Sequence, residues 1–153
     1  MQTQSYHDYI QLNKEIDQIY HETAARLGIP DSVMTLLFSL WEDGEGVTPT
    51  QLYGEWSLTK QTGHSALMWL ERKGLVRLVP LPKDGRSKGV FFTDRGRRYA
   101  GEAIEPQLTA ERAAFGRLTG EEQETLLHLT KKIIANLKEE RVGLVFPALK
   151  NDL

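Results

Sequence analysis

The hydrophobic period of this chain changes near Gly74, and this change restricts the possible fold more than any other feature. Upstream, "TKQTGHSALMWLERKG" has the spacing of an amphipathic helix, and Gly74 is a natural C-terminal stop. Downstream, "LVRLVPL" alternates with the period of a β-strand, and "GVFF" provides a returning strand after a short loop. A helix that leads directly into a hairpin predicts a small two-stranded sheet attached to a helical domain.

Helical spacing also dominates the chain before this point. Apolar and aromatic residues predict a helix over 5–27, which Gly28 ends. A second helix has Pro30 in its first turn and ends at Gly44. Thr48 and Gln51 form a capping box for a short third helix, "PTQLYGEW".

The remaining helix boundaries complete the order of elements. Either Ser57 or Thr59 caps the fourth helix, and Thr93 caps the helix that follows the hairpin. Pro106 is expected to kink or break that long helix, and Thr119 begins a final amphipathic one. The order helix, helix, short helix, helix, hairpin, long helix, helix predicts a mainly α fold of the winged helix-turn-helix type. The additional helices at both ends carry apolar stripes and indicate a dimer.

Composition excludes several classes of protein. At 153 residues the chain is expected to form a single domain, 1–153. It has no cysteine, which excludes disulfides, thiol redox chemistry and cysteine-ligated zinc. The four histidines are not spaced for a shared metal, and no nucleophile motif is present, so we expect no metal, no cofactor and no enzymatic activity. The polar N-terminus and the lack of a long apolar run favour a cytoplasmic protein.

The charge is unevenly distributed along the chain. Residues 59–98 contain ten basic and three acidic side chains, a net charge of +7, so the remainder carries −9 of the total of −2. A basic segment of this kind can bind a polyanion, or its charge can be neutralised by acidic segments within the fold. Its loop, "PKDGRSKG", lacks both the nucleotide-binding P-loop pattern and the spaced acids of a calcium loop.

The segment "LERKGLVRLVPLPKDGRSKGVFFTDRGRR" resembles the signature of the MarR family of bacterial transcription regulators. The matching positions belong to the end of a recognition helix, an Asp-x-Arg wing tip and a Thr-x-x-Gly sequence. They are Leu70, Lys73, Gly74, Leu75, Val76, Asp84, Arg86, Thr93 and Gly96. The resemblance implies a winged-helix DNA-binding lobe over 48–98 and a dimerisation lobe over 5–27 and 100–145.

The resemblance also implies a function. A protein of this family would bind a pseudo-palindromic operator in double-stranded DNA as a homodimer, acting as a repressor or an activator, and would often respond to a small aromatic ligand. We expect a repressor here. The aromatic residues expected at such a pocket are Tyr9, Tyr20, Trp41 and Trp56. The alternative is a winged-helix module that binds another protein and contacts DNA only non-specifically.

Particular residues would contact DNA in such a protein. The recognition helix and wing supply Lys60, Gln61, Thr62, His64, Ser65, Lys83, Arg86 and Lys88. By the resemblance, Arg86 enters the minor groove and Asp84 holds the wing loop. The recognition helix departs from the family at Gly63, where an aliphatic residue is usual. A glycine inside a helix costs about 1 kcal/mol relative to alanine, which predicts a softer start to this helix.

Overall fold

A computed structural model describes residues 2–83 and 85–147 and contains two compact units, Met1–Leu108 and Thr109–Leu153. The first unit holds most of the elements. They are α1 (Gln2–Leu27), α2 (Asp31–Glu42), α3 (Pro49–Glu55), α4 (Lys60–Arg72), β1 (Val76–Pro80), β2 (Lys88–Phe92) and α5 (Asp94–Ala103). The boundary between the units falls within α6 (Glu105–Phe115), and α7 (Gly120–Glu140) follows. The predicted mainly α fold with a hairpin is confirmed.

Helix α2 is the centre of the first unit because its apolar residues recur on nearly every side. Val33, Leu36, Leu37 and Leu40 are each at most 1% exposed. Around them lie buried residues from the other elements, namely Ala24, Leu52, Leu67, Leu70, Val90 and Ile104. An all-round apolar helix of this kind is the expected core element of a small helical domain.

Threonines begin four of the helices, as the sequence predicts. Thr48 and Thr119 form complete capping boxes with Gln51 and Glu122. Thr59, and not Ser57, caps α4, because Ser57 has a φ of 51° and lies in the turn between α3 and α4. Each cap satisfies a backbone N–H that has no partner within the helix.

Two other predicted boundaries are refined by the structure. Helix α2 ends at Glu42, two residues before Gly44. The long helix after the hairpin is broken, with α5 ending at Ala103 and α6 beginning at Glu105, so that Pro106 lies in the first turn of α6. The first turn tolerates proline because its N–H would have no helical partner there.

The hairpin pairs β1 and β2 in antiparallel register, from Val76 opposite Phe92 to Pro80 opposite Lys88. A short segment after α2 is hydrogen-bonded to β2. Gly46 donates its N–H to the Val90 carbonyl, and the Val90 N–H is donated to the Val47 carbonyl, both at 2.9 Å. The middle of β2 is therefore joined to the chain that leaves α2.

In the second unit, every residue of α7 is at least partly exposed. The predicted apolar stripe is present on this helix as Leu126, Leu127, Leu129, Ile133, Ile134 and Leu137, each between 36% and 55% exposed. Gln123 donates its side-chain amide to the carbonyls of Phe115 and Leu118 and so closes the turn from α6 to α7. Across the described parts of the chain, no helix combines the length and apolarity needed to cross a membrane.

Candidate nucleic-acid interface

Helix α4 is held against the core by one face. Gly63, Ala66, Leu67 and Leu70 are buried, and they pack among residues of α2 and α3. The first turn is fixed by Thr59, whose hydroxyl accepts the Thr62 N–H at 3.2 Å. This anchoring leaves the opposite face of α4 directed to solvent.

Gly63 allows an unusually close approach between α3 and α4. A Cβ added to Gly63 would lie 2.4 Å from two atoms of the Tyr53 ring, which is only 7% exposed. The glycine therefore makes room for the tyrosine ring, and the packed ring limits the freedom that the glycine would otherwise have. Burial, together with the nearby Glu71 carboxylate, raises the pKa of Tyr53 above its ordinary value.

The exposed face of α4 contains every residue of this helix that the sequence assigns to DNA contact: Lys60, Gln61, Thr62, His64 and Ser65. Met68 and Arg72 continue this face toward the C-terminal end. All five side chains are exposed on a rigidly packed helix, with Gln61 and Ser65 opposite its buried face. That is the arrangement with which a recognition helix can enter a groove of duplex DNA.

Three residues separate the end of α4 from the start of the basic hairpin. Lys83, Arg86 and Lys88 are exposed, with Lys83 and Arg86 in the loop and Lys88 at the start of β2. Asp84, predicted to hold the loop, lies outside the described residues. An exposed loop with cationic side chains can contact phosphates or insert an arginine into a minor groove.

The Thr-x-x-Gly sequence fixes the base of the hairpin on the end of α4. The Thr93 hydroxyl donates to the Gly74 carbonyl at 2.6 Å and accepts the Gly96 N–H at 2.9 Å. Gly96 has no room for a side chain, since an added Cβ would lie 1.7 Å from the Leu75 carbonyl oxygen. One threonine therefore links the C-terminus of α4 to the start of α5.

Glu45 is a second anchor of the hairpin, and the sequence alone does not predict this role. Its carboxylate accepts the Phe92 N–H at 2.9 Å and pairs with the Arg97 guanidinium at 2.5 Å. The Glu45 side chain is 17% exposed, whereas that of Arg97 is 57% exposed. No local pattern marks Glu45, because its partners lie more than forty residues away in sequence.

The aromatic residues predicted to line a ligand pocket have different surroundings. Trp56 is 54% exposed and lines an open cavity of about 400 Å³ with Asp43 and Glu55. Trp41 packs edge-to-face on Phe92 and donates its indole N–H to Glu105 at 2.6 Å.

The two tyrosines of the predicted pocket lie on α1. Tyr20 packs edge-to-face on Phe38, with ring centroids 6.2 Å apart, and Tyr9 is 42% exposed. Neither these tyrosines nor Trp41 is among the described residues lining the cavity at Trp56. The pocket assignment therefore stays a prediction.

The cavity at Trp56 adjoins a buried polar contact. The Ser39 hydroxyl, 1% exposed, hydrogen-bonds to the Glu55 carboxylate and lies 3.2 Å from an oxygen of Asp43. This contact joins the C-terminal ends of α2 and α3. Among residues 2–83 and 85–147, no group of three or more histidine, aspartate or glutamate side chains is placed to hold a metal ion.

Known proteins share both the sequence pattern and the fold. The chain is 33% identical over 92 residues to the transcriptional regulator HosA of Escherichia coli O111:H-, an alignment that covers 60% of this chain and 68% of HosA. A comparison with protein-family profiles finds no match.

Solved structures show the same architecture. The MarR family regulator NMB1585 of Neisseria meningitidis superposes with a TM-score of 0.64 at 23% identity, covering 86% of this chain and 94% of that one. The MepR–DNA complex of S. aureus superposes with a TM-score of 0.68 at 20% identity, covering 84% and 93%. With the capped α4, the hairpin and the Thr-x-x-Gly link described above, the relatives establish the family. The chain belongs to the MarR family of winged helix-turn-helix transcriptional regulators.

Proposed function

We propose that this protein is a homodimeric transcriptional repressor that binds a pseudo-palindromic operator in double-stranded DNA. One observation carries the proposal: α4 buries one face in the core, exposes a polar face, and leads directly into a hairpin with Lys83, Arg86 and Lys88 exposed. A helix of this kind fits a major groove, and a basic loop beside it fits the adjoining backbone or minor groove. The relation to HosA supports this assignment.

We assign the DNA-binding lobe to residues 48–98 and the dimerisation lobe to 5–27 and 100–145. The exposed apolar side chains of α1 and α7 support the second assignment, since a monomer would leave both stripes in water. Two copies related by a twofold axis would present two α4 helices to half-sites about one helical turn apart. Repression then follows from occupation of the operator.

A small aromatic effector is the proposed regulator of this binding. The half-exposed Trp56 beside an open cavity supports this part of the proposal. The dimer could adopt two states that differ in the spacing of the two α4 helices. A ligand that binds one of these states more tightly than the other would shift the dimer toward that state and so change its affinity for the operator. Titration of aromatic acids and amines, followed by Trp fluorescence and by DNA affinity, tests this step. A Trp56→Leu variant should lose the response.

The wing assignment is tested by the salt dependence of duplex binding. We expect Arg86→Ala to weaken binding and to reduce the slope of log K against log salt by about 1, because one cationic contact is removed. Fluorescence anisotropy at several salt concentrations, with a duplex from the region upstream of the coding sequence, gives both quantities. Lys138→Ala, on α7, is the matched control and should leave affinity and slope unchanged.

Two outcomes would count against the proposal. An Arg86→Ala protein with unchanged affinity and slope would remove the wing from the interface. A wild-type protein that binds its upstream region no better than random duplexes would favour a protein-interaction module with only non-specific DNA binding.

A further inference from the structure

The centre of the exposed face of α4 is uncharged. At about 100° per residue, Gln61, Ser65 and Met68 lie within about 60° of one another and opposite the buried side of the helix. No lysine or arginine occurs between Gln61 and Glu71. Arg72 shares the stripe but is the last residue of α4, about 16 Å along the axis from Gln61.

Met68 is an apolar side chain at the middle of this otherwise polar surface. It is 36% exposed, whereas its neighbour Leu67 is 2% exposed in the core. Met68 is not among the buried residues of α4, which are Gly63, Ala66, Leu67 and Leu70. Met68 is therefore available to a ligand that has an apolar group to place against it.

The major groove of DNA contains one such group, the C5-methyl of thymine. Guanine is read most often by the paired donors of arginine or by lysine, and adenine by the donor and acceptor of glutamine or asparagine. The central face of α4 offers a glutamine and an apolar side chain and no arginine. We propose that α4 reads A·T base pairs at the centre of each half-site, with Gln61 on adenine and Met68 against a thymine methyl group.

The hairpin is consistent with the same base preference. A·T-rich segments have a narrow minor groove with a strong negative potential, which attracts inserted arginines. Arg86 is exposed in the loop that would reach this groove. Both α4 and the hairpin thus favour A·T-rich DNA. The inference for α4 rests on the proposed function and on the side chains of α4 itself.

The first test is selection of bound sequences from random duplexes by the full-length protein. A·T pairs are expected at the most constrained positions of each half-site. Gln61→Arg is expected to enrich guanine in place of one adenine, with a change in preference of about tenfold or more. Guanine enriched at those positions by the wild-type protein would overturn the inference.

The second test replaces single thymines of the selected site by uracil, which removes only the methyl group. At one position this change should weaken wild-type binding about fourfold, the effect of losing one buried methyl contact. Met68→Ala should bind both duplexes equally, and its helical circular dichroism should be unchanged. Full uracil sensitivity in Met68→Ala would overturn the role of Met68.

A control variant separates this inference from the proposed function. Lys83→Ala, in the wing loop, should weaken binding to all sequences and keep the uracil sensitivity. If the protein binds duplex DNA in a salt-dependent way but selects guanine-rich sites, only the base preference is overturned. A protein that binds no duplex at low salt would overturn the proposed function and the base preference together.

Discussion

Gly63 is the residue at which local helix propensity and tertiary packing oppose each other. Alanine is favoured over glycine in a helix interior by about 1 kcal/mol. The Tyr53 ring, however, occupies the space that a Cβ at this position would need. Gly63 of α4 is therefore required by packing, and the buried ring opposes the softness that its helix propensity alone predicts.

We expect Gly63→Ala to destabilise the protein by about 1–2 kcal/mol, because overpacking outweighs the gain in propensity. Urea denaturation measures this change. Gly54→Ala is the matched control on α3, where nothing lies within 4 Å of an added Cβ, and it should be neutral or stabilising. In a Tyr53→Ala background, Gly63→Ala should become stabilising. If it destabilises equally in both backgrounds, the ring contact is not the cause.

Glu45 supports a second residue-scale prediction. Glu45→Ala leaves the N–H of buried Phe92 without its acceptor, and a loss of about 1–3 kcal/mol is expected. Glu45→Gln keeps an acceptor oxygen and should lose less. Arg97→Ala should have an effect below about 1 kcal/mol, since its side chain is largely exposed.

Hydrogen exchange of the Phe92 amide, together with chemical denaturation, ranks the three variants by their loss of stability. Equal losses for the alanine and glutamine variants would show that the charge pair with Arg97, and not the backbone acceptor, is the main contribution of Glu45.

At the scale of elements, the junction of α4, the hairpin and α5 depends on Thr93. Its hydroxyl donates to the carbonyl of Gly74, two residues after α4, and accepts the N–H of Gly96 in the first turn of α5. The Thr93 N–H is donated to the Leu75 carbonyl at 3.0 Å. Gly96 brings the start of α5 against the same carbonyl. Several contacts that join α4, the hairpin and α5 thus meet at one side chain.

We expect Thr93→Ala to cost about 1–2 kcal/mol of stability, because it removes a helix cap and the donor to Gly74. Thr93→Ser keeps the hydroxyl and should retain most of the stability. Chemical denaturation of both variants checks the prediction. An equal loss in the serine variant would assign the effect to packing of the threonine methyl group.

At the scale of the whole molecule, the proposed dimer accounts for the exposed apolar side chains of α1 and α7. Ile133→Glu places a charge in the middle of the α7 stripe and is expected to shift the protein from dimer to monomer in sedimentation equilibrium. Ala135→Glu adds the same charge about 160° away on the helix and should leave the dimer intact. A wild-type protein that sediments as a monomer at tens of micromolar would contradict the dimerisation lobe.

The order of the helices, three of their threonine caps, the hairpin and the family could be predicted from the sequence, because these depend on short-range patterns: hydrophobic period, capping residues and the Thr-x-x-Gly spacing. The choice of Thr59 over Ser57 as the cap of α4 and the position of the break between α5 and α6 came from the structure. It also placed Lys60, Gln61, His64 and Ser65 on one helix face, which follows from helical geometry alone. The fold in three dimensions shows why Gly63 is required, that Glu45 holds the hairpin and that Trp41 packs on Phe92. These three depend on contacts between residues distant in sequence, and no local pattern specifies which side chain will occupy the space beside another.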